Sequence, residues 1–215
     1  MTYTEFVLDT IKNIKIGFPI YTAKISAKIE IVYKLSKEDA SAATAVAVKR
    51  IMDRNILPNL RRYQKGIYYL TSVTPFGELG INKEQLIADK YLDFDAGYET
   101  GPAILNKMGL TTQIPRERTI ATNAAKDCSR VDKNLGVTIR PPKIHITAEN
   151  KDYLQTLDAL ELIEKTPVDA EHPYEIIGNY IYAKKLNYEI LLALADKYYS
   201  RNTILQLAHT AKQEV

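Results

Sequence analysis

Apolar side chains near the start of the chain recur every three to four positions, the period of amphipathic helices. Thr2-Tyr3-Thr4-Glu5 has the capping-box pattern, a hydroxyl that receives an N–H and a carboxylate three residues on that returns the bond. Phe6, Val7, Thr10, Ile11 and Ile14 then supply the stripe of a first helix, which Gly17-Phe18-Pro19 breaks. A second helix is predicted after Tyr21-Thr22, with Ile25, Ile29 and Val32 on one face. Ser36-Lys37-Glu38-Asp39 is another capping box. It opens a third, alanine-rich helix predicted to run to about Asn55. Ala40, Ala47, Val48, Ile51 and Met52 are expected to face inward, and Ser41, Ala45, Lys49 and Arg50 outward. Pro58 forbids continuation.

From Asn59 to Leu70 the period changes. The segment is rich in Tyr, Leu and Ile around Gly66 and predicts two short strands joined by a turn. Three compact helices followed by a basic hairpin is the layout of a winged helix-turn-helix. In that layout the third helix enters the major groove and the hairpin lies along the backbone. Winged helices that bind protein share the same order. Pro75-Phe76-Gly77 is the predicted join, dividing the chain into residues 1–76 and 77–215. Beyond it, Asn82 caps a helix reaching about Leu92, and Thr100-Gly101-Pro102-Ala103 opens a short helix that Gly109 ends. Strands are predicted at 118–123 and 135–140, with 143–147 as a sheet edge. A helix is expected at 150–165 and a helical hairpin at 184–199 and 200–212. The expected class is α+β, an N-terminal winged helix-turn-helix followed by a larger, mostly helical C-terminal domain.

Charge sharpens this division. The chain carries a net charge of +3. Residues 1–75 hold 12 Lys and Arg against 6 Asp and Glu, and the remainder 17 against 20, so a cationic head precedes a mildly acidic body. Between Lys49 and Lys65 lie six basic residues (Lys49, Arg50, Arg54, Arg61, Arg62 and Lys65) and one acid, Asp53. This asymmetry fits a head that meets a polyanion; a solvated charged face is the alternative. A 46% hydrophobic content argues against wholesale disorder. The longest apolar runs fall far short of the roughly 20 residues of a membrane span. Nothing at the amino terminus reads as a secretory leader, so a cytoplasmic location is expected.

Candidate chemistry is sparse. No phosphate loop, no His-Glu-x-x-His and no Gly-x-Ser-x-Gly occurs. A single cysteine, Cys128, excludes an intramolecular disulfide framework, and with three scattered histidines (His145, His172 and His209) it excludes a thiolate zinc cage. Asp93 and Asp95 could pair on a strand to hold a divalent ion, but no Gly-Ser precedes them, and a helix end in solvent is the favoured reading. Lys126 and Arg130 flank Cys128, which is read as an idle or buried thiol. No catalytic residue, metal ligand or cofactor is therefore expected, and the chain is not read as an enzyme.

Gly66-Ile67-Tyr68-Tyr69 closes the basic hairpin. About thirty residues later come Thr100-Gly101-Pro102-Ala103 and Asn106-Lys107-Met108-Gly109-Leu110-Thr111-Thr112-Gln113-Ile114-Pro115, and then the strand at 118–123. With these motifs the chain resembles the AbiEi family of antitoxins from type IV toxin–antitoxin (abortive infection, phage defence) systems, over roughly residues 40–165 and most strongly at 98–115. The resemblance implies an N-terminal winged helix that binds inverted repeats in the operon's own promoter and represses it. It also implies a C-terminal domain that neutralises a nucleotidyltransferase-like toxin, directly or indirectly. The conspicuous stretch 110–115 is itself read as a structural turn. Two alternatives stand beside this reading: a protein-interaction module without DNA binding, and an enzyme acting on nucleotides.

Under the DNA-binding reading the contacts fall on Lys37, Ser41, Ala45, Lys49 and Arg50 of the third helix and on Arg61, Arg62, Gln64 and Lys65 of the hairpin. Strand alternation sets Arg61 and Tyr63 on one face and Arg62 and Gln64 on the other. Tyr63 is then expected in the core, with Arg62, Gln64 and Lys65 toward nucleic acid. Replacing Arg62 or Lys65 by Ala should weaken binding to every DNA sequence and lower the salt slope by about one unit for each phosphate no longer neutralised. A gel-shift salt series that leaves both variants at parental affinity would remove the hairpin from the interface.

Overall fold

The computed structural model describes residues 1–93 and 96–211, and the chain divides into two compact units, Met1–Leu86 and Ile87–Val215. The class is α+β. Among the described residues no helix is long and apolar enough to cross a membrane.

The first unit is built from the predicted pieces. Helix α1 (Tyr3–Lys12) has a complete capping box: the Glu5 N–H donates to Thr2 Oγ1 at 3.2 Å, and the Thr2 N–H donates to Glu5 Oε2 at 2.7 Å. Strand β1 (Ile20–Tyr21) leads directly into α2 (Thr22–Tyr33), which ends on a left-handed Lys34. Helix α3 (Lys37–Asp53) starts on Ser36, whose Oγ accepts from the Asp39 N–H at 3.1 Å. Here the box is only half made, because the Asp39 carboxylate accepts from the Ser36 hydroxyl rather than from a backbone N–H. Strands β2 (Leu60–Gln64) and β3 (Ile67–Leu70) form the expected hairpin. Its turn bends at Gly66, whose φ of +80° suits a residue without Cβ.

One core joins these elements. Val7 and Ile11 of α1, Ile25 and Ile29 of α2, and Ala40, Ala47, Val48 and Ile51 of α3 pack with Ile20, Leu60 and Leu70 of the strands. Burying an aliphatic side chain of this size contributes about 1.5–3 kcal/mol, so the cluster fixes the helices and the hairpin as one body. Two inward expectations fail. Val32 is exposed, and Tyr33, four residues after Ile29 on the same line of α2, takes its place and packs edge-on against Tyr3 and Phe6 of α1. Met52 is also exposed, and Thr44 is buried instead, its hydroxyl donating to the Ala40 carbonyl at 2.7 Å.

The expected join at Pro75-Phe76-Gly77 proves to be the tip of a second small hairpin, β4 (Val73–Thr74) with β5 (Gly77–Glu78). This hairpin belongs to the first unit. The Leu79 N–H donates to the Ser72 carbonyl at 2.9 Å, and the Asn82 N–H donates to the Gly17 carbonyl at 2.8 Å. The boundary therefore falls after Leu86, within α4 (Lys83–Ile87), which the Asn82 side chain caps. The helix predicted to reach Leu92 is α-helical only to Ile87 and continues as a π-helical turn, Ala88–Leu92.

In the second unit β6 (Gly97–Thr100) is followed by α5 (Pro102–Lys107), β7 (Arg118–Thr122), β8 (Arg130–Asp132) and β9 (Val137–Arg140). Four helices complete it: α6 (Lys151–Leu162), α7 (Pro173–Ala183), α8 (Tyr188–Tyr198) and α9 (Arg201–His209). The strand order is β6-β7-β9-β8, with β7 and β9 parallel and the other neighbours antiparallel. Alternation splits β7 between two cores: Ile120 packs with Ile87, Tyr91, Val137 and Ile139, and Ala121 packs on the opposite face with Tyr98, Ile146 and Leu154. A third core joins α5 to the four closing helices through Leu105, Leu157, Leu160, Ile177, Leu191 and Leu207.

Strands β6 and β8 and helix α7 have no counterpart in the sequence expectations, and the edge strand expected at 143–147 does not form. The Asn123 side chain replaces it: its Nδ2 donates to the Ile146 carbonyl and its Oδ1 accepts the Ile146 N–H, both at 2.9 Å. One amide thus makes the two bonds that a strand partner would make. The last predicted helix, 200–212, corresponds to α9, and Lys212 lies outside the described residues.

Gly97 is the tightest point of this unit, since a Cβ there would stand 2.0 Å from the Tyr91 carbonyl oxygen and 2.8 Å from that of Ala121. Both neighbours are backbone, so the π-helical turn and the sheet must move apart to admit even a methyl group. Gly97→Ala is expected to cost about 1–3 kcal/mol. Thermal denaturation should show a midpoint several degrees lower, and an unchanged midpoint would refute the close approach.

Candidate nucleic-acid interface

The geometry of α3 follows from which of its faces is buried. Ala40, Thr44, Ala47, Val48 and Ile51 are held in the core, and this turns Lys37, Ser41, Ala45 and Lys49 outward as one line of four-residue steps. All four are exposed. The charged ends of this line are separated by twelve residues, roughly 18 Å of helix.

Backbone pairing places the hairpin opposite that line. Ile20 pairs with Tyr68 and Tyr21 with Ile67, which fastens β3 to the start of α2. At the turn the Thr22 N–H donates to the Gly66 carbonyl at 3.0 Å, and its hydroxyl donates to the same oxygen at 3.3 Å. Within the hairpin Leu60 pairs with Leu70 and Arg62 with Tyr68, and paired residues share a face. Leu60, Leu70 and Tyr68 meet the helical core, so Arg62 lies on the helix-facing side of the sheet, beyond the end of the core.

The result is an open groove of about 690 Å³ between α2, α3 and the β2–β3 turn. It gathers Lys37, Ser41, Ala45 and Lys49 from the helix with Arg62 and Lys65 from the hairpin. Small side chains keep it open, Ala23 and Ala27 on α2 facing Ser41 and Ala45 on α3. Glu30 and Asp53 also line it, against four cations. Among the described residues none of Lys37, Lys49, Arg62 and Lys65 forms an ion pair with a carboxylate of the chain. Four cations without an ion-pair partner, against two carboxylates, leave the concavity net cationic, a setting that attracts an anionic ligand.

Three of the nine expected contacts lie elsewhere. Arg50 is exposed but falls on the neighbouring line of α3 and does not line the groove. Gln64 is displaced by a bulge: the register shifts between Arg62 and Gln64, so Gln64 pairs with Ile67, one residue out of phase with Tyr68. The extra residue is Tyr63, half-buried rather than in the core, and it cancels the strict alternation on which the Gln64 expectation rests.

Arg61 is committed to the fold. It pairs with Tyr69 on the opposite face of the hairpin, and its Nη2 donates to Glu78 Oε1 at 2.7 Å while Nη1 donates to the Pro58 carbonyl at 2.7 Å. The Arg61 hydrogen bonds hold the Glu78 carboxyl below its ordinary value. The α2 contribution to the groove escapes sequence reading, although Ala23 and Ala27, one turn apart, are its signal.

The remaining candidates stay apart. His145, His172 and His209 are exposed and lie before α6, at the start of α7 and at the end of α9. Asp93 ends the π-helical turn, and Asp95 lies outside the described residues. Cys128 is exposed. Among the described residues no three His, Cys, Asp or Glu side chains gather in a way that could hold a metal ion. The stretch 110–115 runs between α5 and β7, with the Thr112 N–H donating to the Asp169 carboxylate at 3.0 Å.

In the second unit the charged groups nearest the sheet satisfy one another. Asp158, 1% exposed, pairs with Arg140 and accepts from Thr100 at 2.8 Å and Tyr199 at 2.9 Å, while Glu99 holds Lys107 and Arg118. Burial and the Asp158 charge push the Tyr199 phenol well above its ordinary value, so it remains a proton donor.

No protein-family model matches the chain, and no curated protein matches it.

The division of labour between adjacent arginines is directly testable. Arg61→Ala should leave nucleic-acid affinity and its salt slope unchanged while speeding hydrogen exchange in the β4–β5 hairpin. A loss of affinity matching that of Arg62→Ala would place Arg61 in the interface after all.

Proposed function

We propose that the protein is an antitoxin of the AbiEi kind that also represses its own operon by binding promoter DNA, and that it has no catalytic role. The observation that carries the DNA-binding part is the set of unpaired cations, Lys37, Lys49, Arg62 and Lys65, around one open groove beside α3. The first unit has the element order α1-β1-α2-α3-β2-β3 with a sheet ordered β1-β3-β2. That order suits a winged helix-turn-helix, in which α3 enters the major groove and the hairpin follows the backbone. A duplex phosphate backbone offers the dense anionic surface that such a groove recruits, with release of counterions.

The toxin-neutralising part is assigned to the second unit and rests on the resemblance carried by residues 98–115. In this reading the partners are inverted-repeat duplex DNA and a nucleotidyltransferase-like toxin, and no cofactor is required.

A labelled duplex from the region upstream of the gene, titrated with the full chain, should bind with an affinity that falls steeply as salt rises. The fourfold variant Lys37→Ala, Lys49→Ala, Arg62→Ala, Lys65→Ala should lose that binding while keeping the parental denaturation midpoint. Co-expression of the full chain with the toxic product of an adjacent gene should restore growth, and the fourfold variant should still rescue because the groove is not in the neutralising unit. Absence of any shift at low salt defeats the regulator role, and absence of rescue defeats the antitoxin role.

A further inference from the structure

We infer that the outward surface of α3, along the groove and on the line beside it, reads thymine methyl groups in the major groove of B-form DNA, an inference that rests on the DNA-binding role proposed above. The outward surface of α3 is organised along its axis. One line runs Lys37, Ser41, Ala45, Lys49 and its neighbour runs Glu38, Ala42, Val46, Arg50, so charged side chains occupy the ends, three of the four being cations, and the middle turns are short. Ser41, Ala42, Ala45 and Val46 lie on this outward surface, with Val46 47% accessible. An aliphatic side chain at the centre of a solvent-facing helical surface, flanked by unpaired cations, has no role in the core that α3 packs against.

The chemistry of the middle turns selects the ligand feature. Purines are read in the major groove by bidentate pairing with guanidinium or amide side chains, and none stands at these four positions. A single hydroxyl, that of Ser41, is the only hydrogen-bonding side chain among them. The one apolar group that bases present in the major groove is the thymine C5 methyl. Short side chains also let the α3 backbone come close to the base edges, and the recessed Ala23 and Ala27 of α2 leave room for that approach.

Lys37, Lys49, Arg62 and Lys65 then hold the helix against phosphates without regard to sequence, while the methyl contacts add a preference that salt does not screen. Duplex RNA lacks both requirements, since its major groove is too deep and narrow for a helix and uracil carries no methyl.

The test uses the full chain and fluorescein-labelled duplexes of about two helical turns, in one A·T-rich sequence made with thymine or with uracil, and one G·C-rich sequence made with cytosine or 5-methylcytosine. Fluorescence anisotropy should show the thymine duplex bound roughly three- to fourfold more tightly for each methyl covered, with the same salt slope as the uracil duplex. The 5-methylcytosine duplex should likewise exceed its unmethylated twin. The exposed double variant Ala45→Ser, Val46→Ser should bring both ratios toward one. Equal affinity for thymine and uracil duplexes overturns the inference, as does a preference that survives the double variant. Failure to bind any of the four duplexes at low salt is a distinct result and overturns the DNA-binding role itself.

Discussion

Two backbone pairings, Ile20 with Tyr68 and Tyr21 with Ile67, decide the geometry of the first unit. They tie the far end of the basic hairpin to the residues that start α2, and α2 is packed on α3 through Ile25, Ile29, Ala40 and Ile51. A hairpin alone is marginal in water. Joined by β1 as a third strand and seated on the helical core, it becomes a fixed wall. Arg62 and Lys65 then stand at a set place relative to Lys37 and Lys49, and the groove is a property of the fold rather than of side-chain motion.

The two units treat charge in opposite ways. In the second, Glu99 and Asp158 are nearly buried and each is compensated by neighbouring cations, Lys107 and Arg118 for one and Arg140 for the other. A carboxylate withdrawn from water requires such partners, and removing one leaves an uncompensated charge costing several kcal/mol. In the first unit the cations of the groove remain hydrated, and their electrostatic energy becomes available when an anion arrives. Arg61 marks the border between these uses: one residue from Arg62 in sequence, it faces the other way and is held by Glu78.

The fold was legible where local rules dominate. Thr2 and Ser36 signalled two helix starts, Gly66 a turn, and Gly101 and Gly109 the limits of a short helix, because each answers to its immediate neighbours. Apart from helix α7, the elements that escaped are strands that depend on distant partners. Strand β1 is two residues long and exists only because β3 runs beside it. Strand β8 depends on β9 in the same way, and 143–147 reads as a strand until the Asn123 amide supplies its bonds. At the candidate site the helical positions were readable from the period of α3. Gln64 was not, since a bulge at Tyr63 reverses the alternation beyond it, and Arg61 was not, since Glu78 lies outside the hairpin that sequence reading considered.

The Gln155 side chain bears on the sheet of the second unit. Its Nε2 donates to the Glu99 carbonyl of β6 at 2.9 Å, so a helix side chain bonds to one outer strand of the four. The other outer strand, β8, is three residues long and carries exposed Arg130, with Lys133 just beyond it. Short, charged or covered borders are how β-proteins avoid templating a neighbour's backbone. The Gln155 bond on β6 and the shortness and flanking cations of β8 therefore limit the length of backbone that either border offers to a strand of a second copy, even though Val131 of β8 is exposed.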